Sequence, residues 1–400
     1  MLTCVSTAGD PLGRLPGAAI AIQGEKIAAI APLAELEHRF DLSSAKIVDL
    51  AGQIVAPGFV DCHTHLVFGG SRAQEYAARM THTAQEVAAL GIPTGIQATV
   101  KMTRESSPDL LYENALERLQ RMLCCGTTTL ESKSGYGLNA EKEIELLQVN
   151  RKLQGSQPVD IVSTFLGAHD FPAEIPREQY LENLIREMIP RVATEKLAEF
   201  CDVYCDDGYY SVEASRRILE AGLQHGLKPK IHVDAYSNLG GSAMAADLPV
   251  VSADHLNFTT ASELERLAKA GVVGVVMPGL DFAVRHPQPF NARLMFEKGL
   301  KVALATDFCP GCWLESMQLV MQLACRLYQF SPAEALLAAT VNAARAVGLT
   351  DRGTLEPGQL ADLQIWDLPT FEDLIYRLGN NAVSLVVKRG RIVYSYLLTG

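Results

Sequence analysis

Eight short apolar runs recur between residues 58 and 307, and helical patterning lies between them. In order they are Gly58 to His65, Thr127 to Lys133, Ile161 to His169, Val203 to Cys205, Lys230 to Asp234, Val251 to His255, Val272 to Met277 and Val302 to Asp307. Two helices announce their starts, because Ser107-Pro108-Asp109 and Ser331-Pro332-Ala333-Glu334 each place a capping hydroxyl before a proline. Strands alternating with helices over roughly 300 residues predict a (β/α)8 TIM barrel of the α/β class. A doubly wound sheet is the alternative. It usually carries a phosphate loop, and neither G-x-G-x-x-G nor a Walker loop occurs in context.

The two ends read differently. Ala18 to Ile22 and Ile27 to Ile30 flank Gln23-Gly24-Glu25-Lys26, a plausible hairpin with glycine in its turn. Ile47 to Leu50 and Gln53 to Val55 read as two more strands. Near the far end, Ala361 to Trp366 and Val383 to Val387 are strands, and Lys388 to Arg391 is a turn. The expectation is a barrel over 57–354 and a small β-sandwich built from 1–56 and 355–400.

The first barrel strand ends in His63-Thr64-His65. Side chains at i and i+2 of a strand share a face, so both imidazoles can reach one ion. In a barrel the reactive residues sit at the C-terminal strand ends. Those ends hold His63, His65, Lys133, His169, His232, His255 and Asp307. Each has a plain reading alone: His169 as a loop cap, His232 as a core histidine, Asp254-His255 and Asp307 as helix caps. Together they suit one divalent metal, zinc-like or iron-like, with a position left for water. Asp307 could ligate the metal and shuttle the proton of that water. His255 could stabilise the oxyanion or protonate a leaving nitrogen. The expected chemistry is metal-assisted hydrolysis of a C–N bond or a close relative.

Composition narrows the partners. The net charge is -11 and no basic stripe interrupts it, which argues against nucleic acid and anionic membranes. An anionic small substrate stays open if a basic residue is placed locally. Met1 to Gly17 lacks a basic segment followed by an apolar core, so no signal peptide is expected. No apolar run is long enough for a membrane span. Nine scattered cysteines suit reduced thiols in the cytoplasm.

His-x-His after strand one, histidines after strands five and six and an aspartate after strand eight resemble the amidohydrolase superfamily. Within it, five stretches look like the imidazolonepropionase family of histidine degradation: Asp61 to Arg72, Lys133 to Leu138, Phe165 to His169, Ser252 to Leu256 and Ala305 to Phe308. The resemblance spans nearly the whole chain. It implies that His63, His65, His232 and Asp307 bind the metal, zinc first and iron second. It implies that Arg72 and Tyr136 hold a substrate propionate, with Arg72 as a two-pronged carboxylate fork. It also implies that His169 and His255 touch the ring. The expected assembly is a homodimer.

Three positions depart from the family pattern. The family places a glutamate three residues after the strand-five histidine, where this chain has Ala235. The family's Asp-Phe-Asn-Pro-Gly-Ser reads here Asp307-Phe308-Cys309-Pro310-Gly311-Cys312. A ring bearing oxo or thioxo at its second carbon fits better against alanine and weak thiol donors than against a carboxylate. The expected substrate is therefore a 2-thioxo or 2-oxo imidazolidine propionate, with Cys309, Gly311 and Cys312 at its edge. Authentic imidazolonepropionase, which converts 4-imidazolone-5-propionate to N-formimino-glutamate, is the first alternative. A catalytically inactive ligand-binding paralogue is the second. Cys309-x-x-Cys312 admits redox, second-metal and buried-thiol readings too, although a thioredoxin-like context is absent.

Overall fold

The computed structural model describes residues 1–396. β1 (Ala18–Gln23) and β2 (Lys26–Pro32) form the expected antiparallel hairpin. β3 (Ile54–Pro57) follows a long irregular stretch. The strand expected at Ile47 to Leu50 does not form. Asp49 accepts the Ala51 N–H, Ala51 and Gly52 both take positive φ, and the chain turns where a strand would need a partner. Ile47 is accordingly 64% exposed.

All eight barrel strands form where the apolar runs place them. They are β4 (Phe59–Asp61), β5 (Thr127–Lys133), β6 (Asp160–Ala168), β7 (Phe200–Cys205), β8 (Lys228–Val233), β9 (Ser252–His255), β10 (Val273–Val276) and β11 (Lys301–Leu304). Each pairs in parallel with its sequence neighbour. The ring closes beyond the ends of β4 and β11, where Thr64 bridges to Phe308. There the His65 N–H donates to the Phe308 carbonyl at 2.8 Å, and the Asp307 N–H to the His63 carbonyl at 3.1 Å. This closure sets the first histidine pair beside the aspartate.

Outward-facing residues such as Leu130, Phe165, Val203, Ile231 and Val302 pack against the helices. Two of those helices start as the sequence predicts. Ser107 caps Pro108–Cys124, and Ser331 with Glu334 makes a capping box on Pro332–Ala338. Among the described residues, no helix is long and apolar enough to cross a membrane.

β12 (Leu363–Trp366), β13 (Val383–Lys388) and β14 (Arg391–Ser395) join β3 in one antiparallel sheet. Ile27, Val55, Leu363, Ile365 and Val387 form a core between this sheet and the hairpin, the small sandwich expected from both termini. Asp160, at the start of β6, ties the barrel to the sandwich through Lys388 and Arg389, each at 2.9 Å, and through Arg352.

Candidate active site

Strand periodicity builds the site. Asp61, His63 and His65 share one face of the first strand and its extension, Glu131 and Lys133 one face of β5, Lys230 and His232 one face of β8. All seven are buried. At the C-terminal mouth the rings converge: His63 lies 4.5 Å from His232, 5.6 Å from His65 and 5.5 Å from His255, centroid to centroid. Asp307 Oδ1 lies 3.7 Å from His63 Nε2 and 3.8 Å from His65 Nε2.

This arrangement forms two overlapping donor groups that share His63. One adds His65 and Asp307, the other His232 and His255, with donor atoms within 4.8 Å of one another in each. His255 thus joins the expected ligand His232 in one donor group, although its ring lies farther from His63. His63 Nε2, both ring nitrogens of His232 and Asp307 Oδ1 are buried without hydrogen-bond partners. Orphaned atoms of this kind cost free energy unless something satisfies them, and a divalent cation fits this donor set. Burial pushes His63, His65 and His255 well below the ordinary imidazole value of 6.5, so they present the neutral, ligating form. Burial raises the Asp307 carboxyl to about 6, against the pull of His232 and Lys133.

Two catalytic candidates carry strained backbone. His255, the last residue of β9, has φ +85°, and Asp307, in the turn after β11, has φ +46°. A non-glycine residue pays on the order of 1–3 kcal/mol for such a conformation, and strain of this kind gathers at functional sites. Asp254 is not the helix cap considered from the sequence. It lies inside β9, where Oδ2 accepts from His63 Nδ1 at 2.6 Å.

The loop after β5 brings Tyr136 in. A Cβ on Gly135 would sit 2.9 Å from His169, so only glycine lets this loop pass so near. Buried Glu143 fixes the loop by accepting the N–H groups of Gly135, Gly137 and Leu138. His169 stacks on His65 at 4.9 Å and touches Tyr136 edge-on at 5.2 Å. Burial lowers His169 to about 3, so it is neutral.

Arg72 departs from the expected open fork. Its Nε and Nη2 both donate to the Glu75 carboxylate, at 2.6 and 2.9 Å. Nη1 is left facing Gly311, 3.6 Å from where a Cβ there would sit. Gly311 is pinned through its carbonyl by the Tyr76 hydroxyl at 2.6 Å. A cavity of about 180 Å³ opens beside Arg72, walled by Glu75, Tyr76, Arg79, Arg285 and Gly311.

Cys309 and Cys312 close a tight turn through two mutual backbone hydrogen bonds. Burial, with Cys309 and Asp307 nearby, holds the Tyr136 hydroxyl well above its ordinary value. The Cys312 thiol points at the Thr306 carbonyl, 3.7 Å away. All nine cysteines are free thiols, and among the described residues no clustered metal-donor group contains one. Ala235 is buried in the loop after β8.

Sequence reasoning missed Glu75, Glu131, Asp202 and Lys230. A signal was available for the last three, since charges at alternate positions of apolar barrel strands must point inward. Glu75 carried a signal too, since it stands three residues from Arg72 and four from Arg79 along one helix, spacings at which opposite charges pair.

A parallel eight-stranded barrel with a histidine–carboxylate cluster at its C-terminal mouth defines a metal-dependent hydrolase. Residues 177–394 match the model described as "Amidohydrolase family". The chain is 43% identical to the imidazolonepropionase of Geobacillus kaustophilus, over 96% of this chain and 91% of that one. It is 45% identical to that of Geobacillus thermodenitrificans, over 92% and 88%. Two solved structures share the fold: atrazine chlorohydrolase TrzN from Arthrobacter aurescens complexed with zinc (TM-score 0.72, 16% identity, 94% and 90% covered) and an adenosine deaminase from Xanthomonas campestris with bound zinc (0.69, 20%, 94% and 88%). The chain belongs to the amidohydrolase family and, within it, groups with the imidazolonepropionases. It acts on C–N bonds with a divalent metal.

Proposed function

We propose that this hydrolase acts on a five-membered imidazolone-type ring bearing a propionate, with oxo or thioxo at the second ring carbon. The observation that carries this reading is a complete donor cluster in a chain with uncharged residues at the three positions that depart from the family pattern. His63, His65, His232, His255 and Asp307 converge, and Tyr136 stands beside His65. Ala235, Cys309 and Cys312 are buried and bring no carboxylate. A carboxylate there would repel an exocyclic oxygen or sulfur, and a thiol is a weak donor that tolerates either.

His63, His65, His232 and Asp307 would hold the metal, and we take it to be zinc on the three-nitrogen, one-oxygen donor set. Bound there, the ion acidifies a water and polarises the bond under attack. Asp307, whose Oδ1 lies 3.7 Å from His63 Nε2 and 3.8 Å from His65 Nε2, would take the proton of the attacking water. His255 faces the cluster from β9 and stabilises the developing negative charge. Arg72 Nη1 and the Tyr136 hydroxyl orient the propionate, and the stacked His65–His169 pair offers a flat face to the ring. In ring opening, the water oxygen joins the ring carbonyl carbon, the C–N bond breaks and one proton goes to the leaving nitrogen. In desulfuration, the oxygen replaces sulfur on the second ring carbon, and hydrogen sulfide departs.

A second reading is supported by the 43–45% identity to chains named imidazolonepropionase. In it the three substitutions are tolerated, and the substrate is 4-imidazolone-5-propionate. Turnover of that compound beside its 2-oxo and 2-thioxo analogues tests the choice. Faster turnover of the unsubstituted ring than of either analogue rejects the first reading. No turnover of any of the three, by protein carrying one metal per chain, rejects both in favour of an inactive binding paralogue. Free thiols throughout support a cytoplasmic setting. Exposed Tyr376 and Leu378 offer apolar surface for a homodimer, which sedimentation velocity tests.

A further inference from the structure

Lys133 lies beneath the donor cluster and is not a ligand. Its ammonium reaches Asp202 Oδ2 at 2.7 Å, Glu131 Oε1 at 3.0 Å and Asp254 Oδ2 at 3.5 Å. Three N–H donors thus face three carboxylates, and no lone pair is left for a metal. Two of those oxygens also lie against histidines. Asp254 Oδ2 accepts from His63 Nδ1 at 2.6 Å, whereas Asp202 Oδ2 approaches His232 Nδ1 to 3.1 Å without the geometry of a hydrogen bond. The remaining carboxylate oxygens are tied as well, to the Ser252 hydroxyl at 2.6 Å and the Val203 N–H at 2.8 Å.

The second lysine of this layer is arranged differently. Lys230 Nζ meets Glu131 Oε2 at 2.7 Å and the carbonyls of Cys62 and Ala346 at 3.3 Å. It braces the layer through Glu131 and two backbone carbonyls, and makes no hydrogen bond or ion pair with Asp202 or Asp254.

We propose that Lys133 is a positioning residue for the metal site, holding His63 in its ligating orientation by anchoring Asp254, and fixing Asp202 against His232 with the same ammonium. The inference rests on the metal-ligand assignment above and on no choice of substrate. Glu131, Lys133, Asp202, Lys230 and Asp254 are all at most 1% exposed. Burying five charges costs more than an apolar layer of equal volume, so such a layer is hard to account for by stability alone. Its geometry supplies the return. A carboxylate on Nδ1–H fixes the tautomer and the ring plane, and presents Nε2 to the cluster. Lys133 fixes the carboxylates in turn, and it keeps two like charges side by side.

The test uses wild-type holoenzyme, Lys133→Met and Lys230→Met. Metal release to a chelator, the visible spectrum after cobalt loading, and thermal melting are read for each. In folded Lys133→Met, metal release is expected to speed up by about 10–100-fold and the cobalt bands to shift, with kcat falling more than KM changes. Lys230→Met is expected to melt lower while releasing metal at the wild-type rate. Wild-type release and spectrum in folded Lys133→Met would overturn the proposal, and so would equally fast release from Lys230→Met. Should Lys133→Met fail to fold, Asp254→Asn carries the test. Fast release with an altered spectrum supports the proposal, and wild-type behaviour overturns it. Wild-type protein that binds no metal would overturn the assignment beneath it, which measuring wild type alone reveals.

Discussion

Glu75 occupies the side-on edge of Arg72, holding Nε and Nη2 at 2.6 and 2.9 Å while also pairing with Arg79 at 2.8 Å. The carboxylate is 1% exposed and accepts a further N–H from Gly95. The guanidinium is therefore aimed before substrate arrives, with Nη1 toward Gly311. Arg72→Lys should lower kcat/KM by about 2–3 kcal/mol of transition-state binding, since an ammonium cannot face Glu75 and substrate in one plane. Glu75→Gln should raise KM about tenfold with a smaller change in kcat, because the anchor is loosened while the cluster is untouched. Steady-state kinetics with and without the propionate on the substrate check both. Equal losses on the truncated substrate would show that Arg72 does not hold the propionate.

His232→Ala should remove both the metal and the activity and leave a folded barrel. The ring supplies an orphaned Nε2 to the cluster, and its removal opens space at the strand end without cutting the backbone ladder of β8. Elemental analysis and circular dichroism check this. One metal per chain retained in the variant would remove His232 from the ligand set.

Ring specificity is reversible if Ala235, Cys309 and Cys312 carry it. Ala235→Glu with Cys309→Asn and Cys312→Ser should raise turnover of 4-imidazolone-5-propionate and lower that of the thioxo analogue. The shift expected from restoring a group that works in proton transfer is about 10²–10⁴-fold. Both directions are required, because specificity is a difference between two transition states. The Cys312 change is expected to contribute least, since that thiol is turned to the Thr306 carbonyl.

The junction between barrel and sandwich makes a pH prediction. Burial alone would raise the Asp160 carboxyl, but Lys388 and Arg352 overcome it and hold the group well below its ordinary value of 3.8. A carboxyl with a folded pKa below the unfolded one contributes stability above the unfolded value and loses it as pH falls toward the folded value. Asp160→Asn should therefore cost about 3 kcal/mol near pH 7, as for removing one partner of a buried ion pair. The gap to wild type should close progressively below pH 3.8. Denaturant melts across pH check it, and a gap that stays constant into acid would show that the loss is packing alone.

Local order was legible in the sequence. Hydrophobic period and caps located all eight barrel strands, and the i, i+2 spacing of His63 and His65 put both rings on one face. Both depend on neighbours in the chain. The failed strand at Ile47 to Leu50 marks the limit of that reading, because a strand exists only with a partner and the turn at Ala51-Gly52 removes it. The pairing of charges lay beyond the sequence altogether. His63 and Asp254 are 191 residues apart and Lys133 and Asp202 are 69 apart. Composition shows that these charges point inward, but not which one meets which. Barrel closure, from the His65 N–H to the Phe308 carbonyl, sets the stagger of the strands and so decides which side chains meet. Arg72 stands between the two cases, because its i, i+3 spacing to Glu75 is legible in the chain while only the fold turns Nη1 toward Gly311.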